Sequence, residues 1–457
     1  MNKSITQTTQ DDKQNSSTVQ RFFKRFHVAS ALKAANAYKE KGFSVARIFQ
    51  YLFLLAFSNR SMYMNLLTGK NVPAFAKDTA YRFMRMAHIN WMRFTTILSC
   101  RIIKDTVAPL TSDDRVNALV IDDSVFDRNR SKKVELLAKI YDHAKHVYLN
   151  GFRMLTLGWT DGNTFLPVNS VLLSSEKEKN RITEASQMDK RSVGYKRRKL
   201  SVTKGTEAML ELLKTAKAAA IPAKYVLFDS WFSSPKTLHA VKEIGYDVIG
   251  MVKKSSKMHF VYEGESLSLP DIYMRNKKRR GRSRYLLSVR VDVVKDGKVI
   301  PAKVVYVRNK RKRKEYLCLI STDLSLTEEE IIQVYGKRWD IEVFFKVCKS
   351  YLRLSKECRS LSYDAVTAHT AVVFARYMML SIENRESQDE RSLGELFLYF
   401  SDEMADITWI QAFHLLMDTF KEKLSDYLEL SEKQISSLMD AFMKALPPTL
   451  LRSLKAA

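Results

Sequence analysis

Tyr335, Arg338, Glu342 and Lys349 stand in the stretch VYGKRWDIEVFFKVCKS at offsets of zero, three, seven and fourteen. On an α-helix each residue turns the chain by roughly 100°, so these four positions fall within an arc of roughly 60°. One acid is thereby flanked by two cations and a phenol on one narrow stripe. A carboxylate held between cations is a weak proton acceptor, because opposite charge favours its ionised form. It is a good ligand for a hard cation beside a phosphate backbone. Ile341, Val343, Phe344 and Val347 point elsewhere and are expected to bury the helix, although Lys337 and Asp340 interrupt that apolar arc. For an arbitrary helix the same residues would be a solvated face with an i, i+4 pair between Arg338 and Glu342. The rest of the chain decides between the two readings.

Three acids stand out by position. Asp122 or Asp123 ends the apolar run ALVI, Asp229 ends YVLF, and Glu342 lies within the stripe. Acids where strands leave a sheet are well placed to meet a helix packed on that sheet. Carboxylates brought together without a neutralising partner repel, and so call for divalent cations. An oxygen-only set favours Mg²⁺ or Mn²⁺, and two such ions can activate water and stabilise a leaving oxygen at a phosphodiester. An isolated Asp at a strand end is more often a turn residue. Trp231 and Phe232, directly after Asp229, suit either the core or stacking on a nucleotide.

Charge narrows the partner. The chain has 457 residues, room for two to four domains, with 46% apolar residues and a formal charge of +26. An excess of this size favours nucleic acid or an anionic membrane surface. Lys253–Glu315 alone carries a local excess of 14, in the runs KKRRGRSR (Lys277–Arg284) and RNKRKRK (Arg308–Lys314). Lys277, Lys278, Arg279, Arg280, Arg311 and Arg313 are therefore expected to neutralise phosphates. Four scattered cysteines, Cys100, Cys318, Cys348 and Cys358, form no C-x-x-C pair and are expected as free thiols in a reducing compartment. The opening MNKSITQTTQDDKQNSST is polar, and the apolar run at Tyr51–Phe57 is too short to span a bilayer. No membrane is expected, and the protein is placed in the cytoplasm and nucleoid. There is no G-x-S-x-G or Walker loop, and His143 and His146 lack partners for a metal site.

The elements that must position these residues follow from periodicity. Thr18–Asp105 has helical spacing, including TAYRFMRMAHINWMRFTTIL with Asp78 and Thr79 at its start. A helix-turn-helix-like reader or a plain bundle would satisfy it. ALVIDDSVFDR, GFRMLTLGWT, TFLPVNSVLL, YVLFDSWF and YDVIGMV are expected as five strands, with an Asp161-Gly162 hairpin turn and intervening helices. KMHFVYEG, YLLSVRVDVV, KVIPAKVVYVR and EYLCLIST add a β-rich segment with a turn at Asp296-Gly297. Thr327 before Glu328, Glu329 and Glu330 starts the signature helix. A further helix spans about Tyr363–Asn384, and the tail beyond Arg385 is helical.

Y-(2)-R-(3)-E-(6)-K, filled by Tyr335, Arg338, Glu342 and Lys349, resembles the signature of the family-four bacterial insertion-sequence transposases, DDE enzymes with a ribonuclease-H-like core. ALVIDDS and VLFDSWF resemble that family's first and second acidic motifs. The 113 residues from Asp229 to Glu342 would hold its β-stranded insertion domain. The resemblance covers roughly Asn117–Asn384. It implies Asp122, Asp229 and Glu342 as metal ligands for two Mg²⁺ or Mn²⁺ ions, with Asp123 competing as the first ligand, and Tyr335, Arg338 and Lys349 as phosphate contacts. It implies α/β architecture: a mixed five-stranded sheet with helices, interrupted by the β-rich insertion. The expected organisation is a disordered tail (1–17), a helical DNA-binding domain (18–110), a core in two parts (111–252 and 321–384), a basic β-rich insertion (253–320) and a helical C-terminal region (385–457). The partners implied are double-stranded DNA, as terminal inverted repeats and target, and a second copy of the chain in a DNA-bound homodimer. The family's hairpin-forming members use an insertion-domain Trp to hold a flipped base. Here Val252–Arg338 contains no Trp, leaving Tyr262, Tyr273, Tyr285, Tyr306 and Tyr316 for stacking. The expected activity is cut-and-paste transposition. The rivals are a metal-dependent nuclease without strand transfer, a decayed transposase that only binds DNA, and a basic helical RNA-binding protein.

Overall fold

Ala118–Ile121 is wholly buried, and the strand it opens organises the molecule. In a computed structural model of the chain, which describes residues 18–57, 73–112, 115–280, 283–309, 315–386 and 432–445 with a few isolated positions, β1 (Ala118–Asp127) runs antiparallel to β3 (Val147–Thr160) and parallel to β5 (Tyr225–Phe228). β6 (Asp247–Val252) pairs in parallel with β5. The outer edge of β3 carries β2 (Ala138–Asp142) along its first half and β4 (Phe165–Leu173) along its second. Asp161-Gly162 turns β3 into β4 as expected: Gly162 has φ +95°, and Asp161 Oδ1 accepts the Asn163 and Thr164 N–H groups.

The expected sheet of five strands is an eleven-stranded sheet. Beyond β6 it continues through β11 (Tyr316–Ser321), β10 (Lys298–Arg308), β9 (Tyr285–Lys295), β7 (His259–Tyr262) and β8 (Glu265–Ser268). The reason is an edge: β11 pairs antiparallel with β6, from Cys318 opposite Val252 to Ser321 opposite Ile249, and so satisfies backbone groups that β6 would otherwise expose. Asp296-Gly297 turns β9 into β10, both residues at positive φ. The short strands β2 and β8 were not expected from the sequence.

Helices cover both faces. On one, α7 (Gly205–Ala218) accepts a hydrogen bond from Asn169 of β4 through the Leu212 carbonyl. On the other lie α10 (Glu328–Gly336) and α11 (Trp339–Ser350), where Phe344 meets Phe165 of β4 with ring centroids 5.2 Å apart. Preceding these in the chain are α1 (Thr18–Arg25), α2 (Val28–Ala34), α3 (Val45–Leu54), α4 (Lys77–Met84), α5 (Trp91–Ile102), α6 (Val193–Ser201), α8 (Pro235–Ile244) and α9 (Leu269–Arg275). TAYRFMRMAHINWMRFTTIL is two helices rather than one, because Asn90 caps α5 by accepting the Arg93 N–H. Phe22, Phe49, Phe53, Trp91 and Phe94 form an aromatic core among the N-terminal helices.

α12 (Tyr363–Glu386) is long and apolar enough to cross a membrane, contrary to the expectation that no run reaches that length. It is a buried core helix, and its fully buried Arg376 donates to the Leu52, Phe53 and Leu352 carbonyls and pairs with Glu357. These residues belong to one compact unit, 1–53 with 78–389. A second unit, 54–77 with 390–457, includes α13 (Glu432–Ala445), whose Ile435 and Met439 pack with Met417. Most of the expected C-terminal helical region and the whole 1–17 tail lie outside the described residues.

Candidate active site

Successive side chains on a strand point to opposite faces. Asp122 and Ser124 therefore stand on one face of β1, and Asp123 on the other. Arg338 reaches the first face, donating to Asp122 Oδ2 at 3.1 Å and to Glu342 Oε1. One guanidinium thus holds two carboxylates 220 residues apart in the chain. Lys349 Nζ, two turns along α11, donates to Ser124 Oγ at 2.5 Å. Asp123 instead accepts from Arg153 of β3 at 3.0 Å. Asp122, and not Asp123, therefore shares the Arg338 guanidinium with Glu342.

Asp229 enters by register. Leu227 of β5 and Val120 of β1 are the last residues paired between these strands, and two residues further on come Asp229 and Asp122, close enough for Asp229 to act electrostatically on Asp122. The Asp229 side chain accepts the Trp231 N–H at 2.9 Å, which bends the chain away from the sheet. Trp231 is 61% exposed with the Arg153 guanidinium over its ring, whereas Phe232 is core.

The helix that carries the stripe is not continuous. α10 stops at Gly336 and α11 starts at Trp339, with Lys337 and Arg338 still in the right-handed helical region between them. Lys337 Nζ donates to the Val116 and Asp161 carbonyls and ties this break to one end of the β1–β3 pair, where β1 starts and β3 finishes. Tyr335 lies in the last turn of α10. Ile341, Phe344 and Val347 are buried as expected, but Val343 is exposed.

Burial sets the electrostatics. It pushes the Asp122 carboxyl up to about 7; Arg338 opposes this, and Asp123 and Asp229 add to it. Burial also raises Asp123 against the pull of Arg153. The Tyr335 phenol is pushed up to about 12, mainly by burial, and its buried oxygen has no hydrogen-bond partner among the described residues. Burial lowers the Lys349 ammonium.

Asp122, Asp229 and Glu342 come to one end of the sheet, but they do not form a closed ligand set. Among the described residues no three His, Cys, Asp or Glu side chains group closely enough to hold one metal ion. Arg338 stands between two of the acids, Asp122 and Glu342. The donor chemistry nevertheless fits a hard divalent cation, being all carboxylate oxygen. Burial, more than the neighbouring acids, holds the Asp122 carboxyl near 7 beside the Arg338 guanidinium.

Other expected site residues lie elsewhere. Lys277, Lys278, Arg279 and Arg280 follow α9, and β5, β6, β11 and β10 separate the adjoining β9 from β1. Lys278 and Arg279 lie over the Tyr273 and Tyr285 rings. Arg311 and Arg313 are outside the described residues. Of the stacking candidates, Tyr285 and Tyr306 are buried, and Tyr273 stacks on Tyr316 at 4.1 Å. All four cysteines are free. Arg153 was missed by the sequence reading. Its signal is a lone cation within the apolar strand GFRMLTLGWT, which must face a charge.

Comparison with known proteins bears on this site. A family model described as DDE superfamily endonuclease matches residues 44–314, more than half of the chain. That span includes Asp122 and Asp229 and ends before Glu342. The chain is 23% identical over 183 residues to the transposase for insertion sequence element IS1151 of Clostridium perfringens, a match covering 33% of this chain and 38% of that protein. Among solved structures, the Drosophila P element transposase strand transfer complex aligns over 52% of this chain and 49% of its own at 13% identity, with a TM-score of 0.19, too low to bear on the fold.

Proposed function

The chain belongs to the DDE superfamily of endonucleases, and on that premise we propose that it is a DNA transposase that cleaves the ends of an insertion sequence and joins them to target DNA. The observation that carries the reading is the Asp122–Arg338–Glu342 bridge, which unites the first strand and the signature helix beside Asp229. The order β4–β3–β1–β5–β6, with β1, β5 and β6 in parallel and β3 antiparallel to both of its neighbours, β1 and β4, supports a ribonuclease-H-like core. The spacing of Tyr335, Arg338, Glu342 and Lys349 supports membership of the family-four insertion-sequence enzymes.

In this reading Asp122, Asp229 and Glu342 are the residues that would hold divalent ions. Mg²⁺ or Mn²⁺, two ions when bound, would supply Lewis-acid charge at the scissile phosphate. Arg338 holds Asp122 and Glu342 in place and offers its remaining N–H groups to a phosphate, a role suited to a planar guanidinium. Tyr335, protonated at any physiological pH, donates a hydrogen bond to the phosphate from its hydroxyl. Lys349 orients Ser124 and adds positive charge on the same face. The partner is double-stranded DNA, held chiefly through phosphates as a charge of +26 favours. Two copies of the chain would bring two ends together.

The test is incubation of the full chain with DNA carrying the element's ends and a target, with Mg²⁺. The reading expects covalently joined products. Nicks without joined products would make the protein a nuclease, and binding without nicks a DNA-binding protein only. Glu342→Ala is expected to abolish cleavage and leave DNA affinity within about twofold, because it removes no phosphate-binding cation.

A further inference from the structure

The β2–β3 hairpin ends in the turn His143–His146, with His146 at φ 56°. Immediately below the turn, Tyr141 lies opposite Tyr148 in the ladder, and their rings are 5.0 Å apart and tilted by 59°. The His143 ring meets Tyr141 edge-on at 5.0 Å, and the Tyr141 hydroxyl is 3.4 Å from His146 Nδ1. The described residues leave this cluster open to water: Tyr148 is 74% exposed and its neighbour Val147 is 47% exposed. A contiguous group of exposed rings marks an interaction surface where a single exposed ring would not.

Register fixes which way the rings face. Along β3 the side chains of 148, 150, 152, 154 and 156 share one face. Met154 lies opposite Ser124, and Thr156 opposite Asp122. Tyr148 and Tyr141 therefore stand on the face that carries Asp122 and Ser124, not on that of Asp123. The contact between the Phe152 and Phe126 rings belongs to the same row. Lys349, bonded to Ser124, lies within the electrostatic reach of Asp142 and Lys145 at the hairpin tip. Lys139 and Lys145, both exposed, add positive charge around the rings. From the carboxylates the row passes Ser124 and Lys349, then the buried Phe126 and Phe152, and ends at two tyrosines at the hairpin tip.

We propose that Tyr141 and Tyr148 form a stacking platform for unpaired bases of the DNA strand that passes over the carboxylates. The inference rests on the reading of that site as one that processes DNA. Unpaired bases are the matching ligand because a tyrosine face engages a base only where the base has left the duplex stack, and such stacking ignores sequence. Eight residues separate Thr156, opposite Asp122, from Tyr148, about 26 Å of strand. That is the length of about eight stacked nucleotides, so the platform would meet bases beyond the reacting phosphate rather than at it.

The experiment is fluorescence anisotropy with the full chain and no divalent ion, so that nothing is cut. Two probes are compared: a blunt duplex, and the same duplex extended by ten unpaired nucleotides at one end, prepared in both polarities. The parent is expected to bind one extended probe more tightly than the blunt one. The double variant Tyr141→Ala/Tyr148→Ala is expected to lose that preference, weakening on the extended probe by about tenfold or more while blunt binding stays within about twofold. Tyr141→Phe/Tyr148→Phe, which keeps the rings, is expected to bind as the parent does. An Ala variant that retains the parent's preference overturns the proposal, as does equal weakening on all probes or a Phe variant as weak as the Ala one. A parent that binds no probe overturns the DNA-processing reading itself, which distinguishes that failure from failure of the platform.

Discussion

Asp122 is the side chain on which charge and burial conflict most directly. Its pKa is raised to about 7, well above the ordinary value of 3.8, because burial outweighs the single guanidinium beside it. The sign follows from proton binding: the folded state holds this proton more tightly than the unfolded chain does. The site therefore costs nothing below about pH 4, and its cost grows as pH rises from there through about 7, above which it is complete. Asp122→Asn removes that penalty. In metal-free buffer the variant is expected to gain on the parent between pH 4 and 8, by at most roughly 4 kcal/mol, in urea denaturation followed at several pH values. A stability gap that does not change with pH would show that the carboxylate is already neutralised. Asp122, Asp229 and Glu342 were legible as candidates because each breaks an apolar pattern with an acid. Which of Asp122 and Asp123 faces the helix was not legible, since a strand's alternation does not say which face the helix covers. Arg153 and Arg338, one on each face, settle that choice.

At the scale of elements, the stripe is positioned by a helix start and a turn. Thr327 and Glu330 form a reciprocal cap: the Thr327 hydroxyl accepts the Glu330 N–H, and the Glu330 carboxylate accepts the Thr327 N–H. Thr327→Ala is expected to cost about 1 kcal/mol of stability in chemical denaturation. Gly162 is more exacting. Its φ of +95° is one that side chains resist, and an added Cβ would come within 3.0 Å of Lys337 Cε. Lys337 in turn is pinned to the Val116 and Asp161 carbonyls immediately before Arg338. Gly162→Ala is expected to destabilise by about 1–2 kcal/mol, and its DNA cleavage rate should fall as Arg338 shifts. An unaltered melting curve would remove the turn from this account. The cap and the Asp-Gly turn were readable because each depends on residues close in sequence. The break at Gly336–Trp339 was not, and Lys337 within it bonds to carbonyls more than 170 residues away, contacts that no local pattern encodes.

Across the whole molecule, the nine expected strands are present, but their union into one sheet depends on β6 meeting β11, a pairing between segments some 70 residues apart that no local pattern encodes. The two overlooked strands are short; β8 (ESLS) shows no apolar alternation. Charge is the other whole-molecule property. Four strands separate β1 from β9, beside which Lys277, Lys278, Arg279 and Arg280 lie, so in the proposed reading they would hold DNA at a distance from the acids. Replacing all four by Ala is expected to weaken binding of unrelated duplexes alike and to flatten the salt dependence by up to about one unit of slope for each phosphate no longer neutralised. An unchanged slope would mean that these cations do not touch DNA. What the account depends on most is that Asp122, Asp229 and Glu342, spread over 220 residues, serve one site while Asp123 does not. Rates of DNA strand cleavage with Mg²⁺ by Asp122→Asn, Asp123→Asn, Asp229→Asn and Glu342→Gln measure this directly. The account predicts losses of about a thousandfold or more for Asp122, Asp229 and Glu342, and less than about tenfold for Asp123, whose partner is Arg153. Near-parental cleavage by any of the first three, or a dead Asp123→Asn beside an active Asp122→Asn, would contradict it.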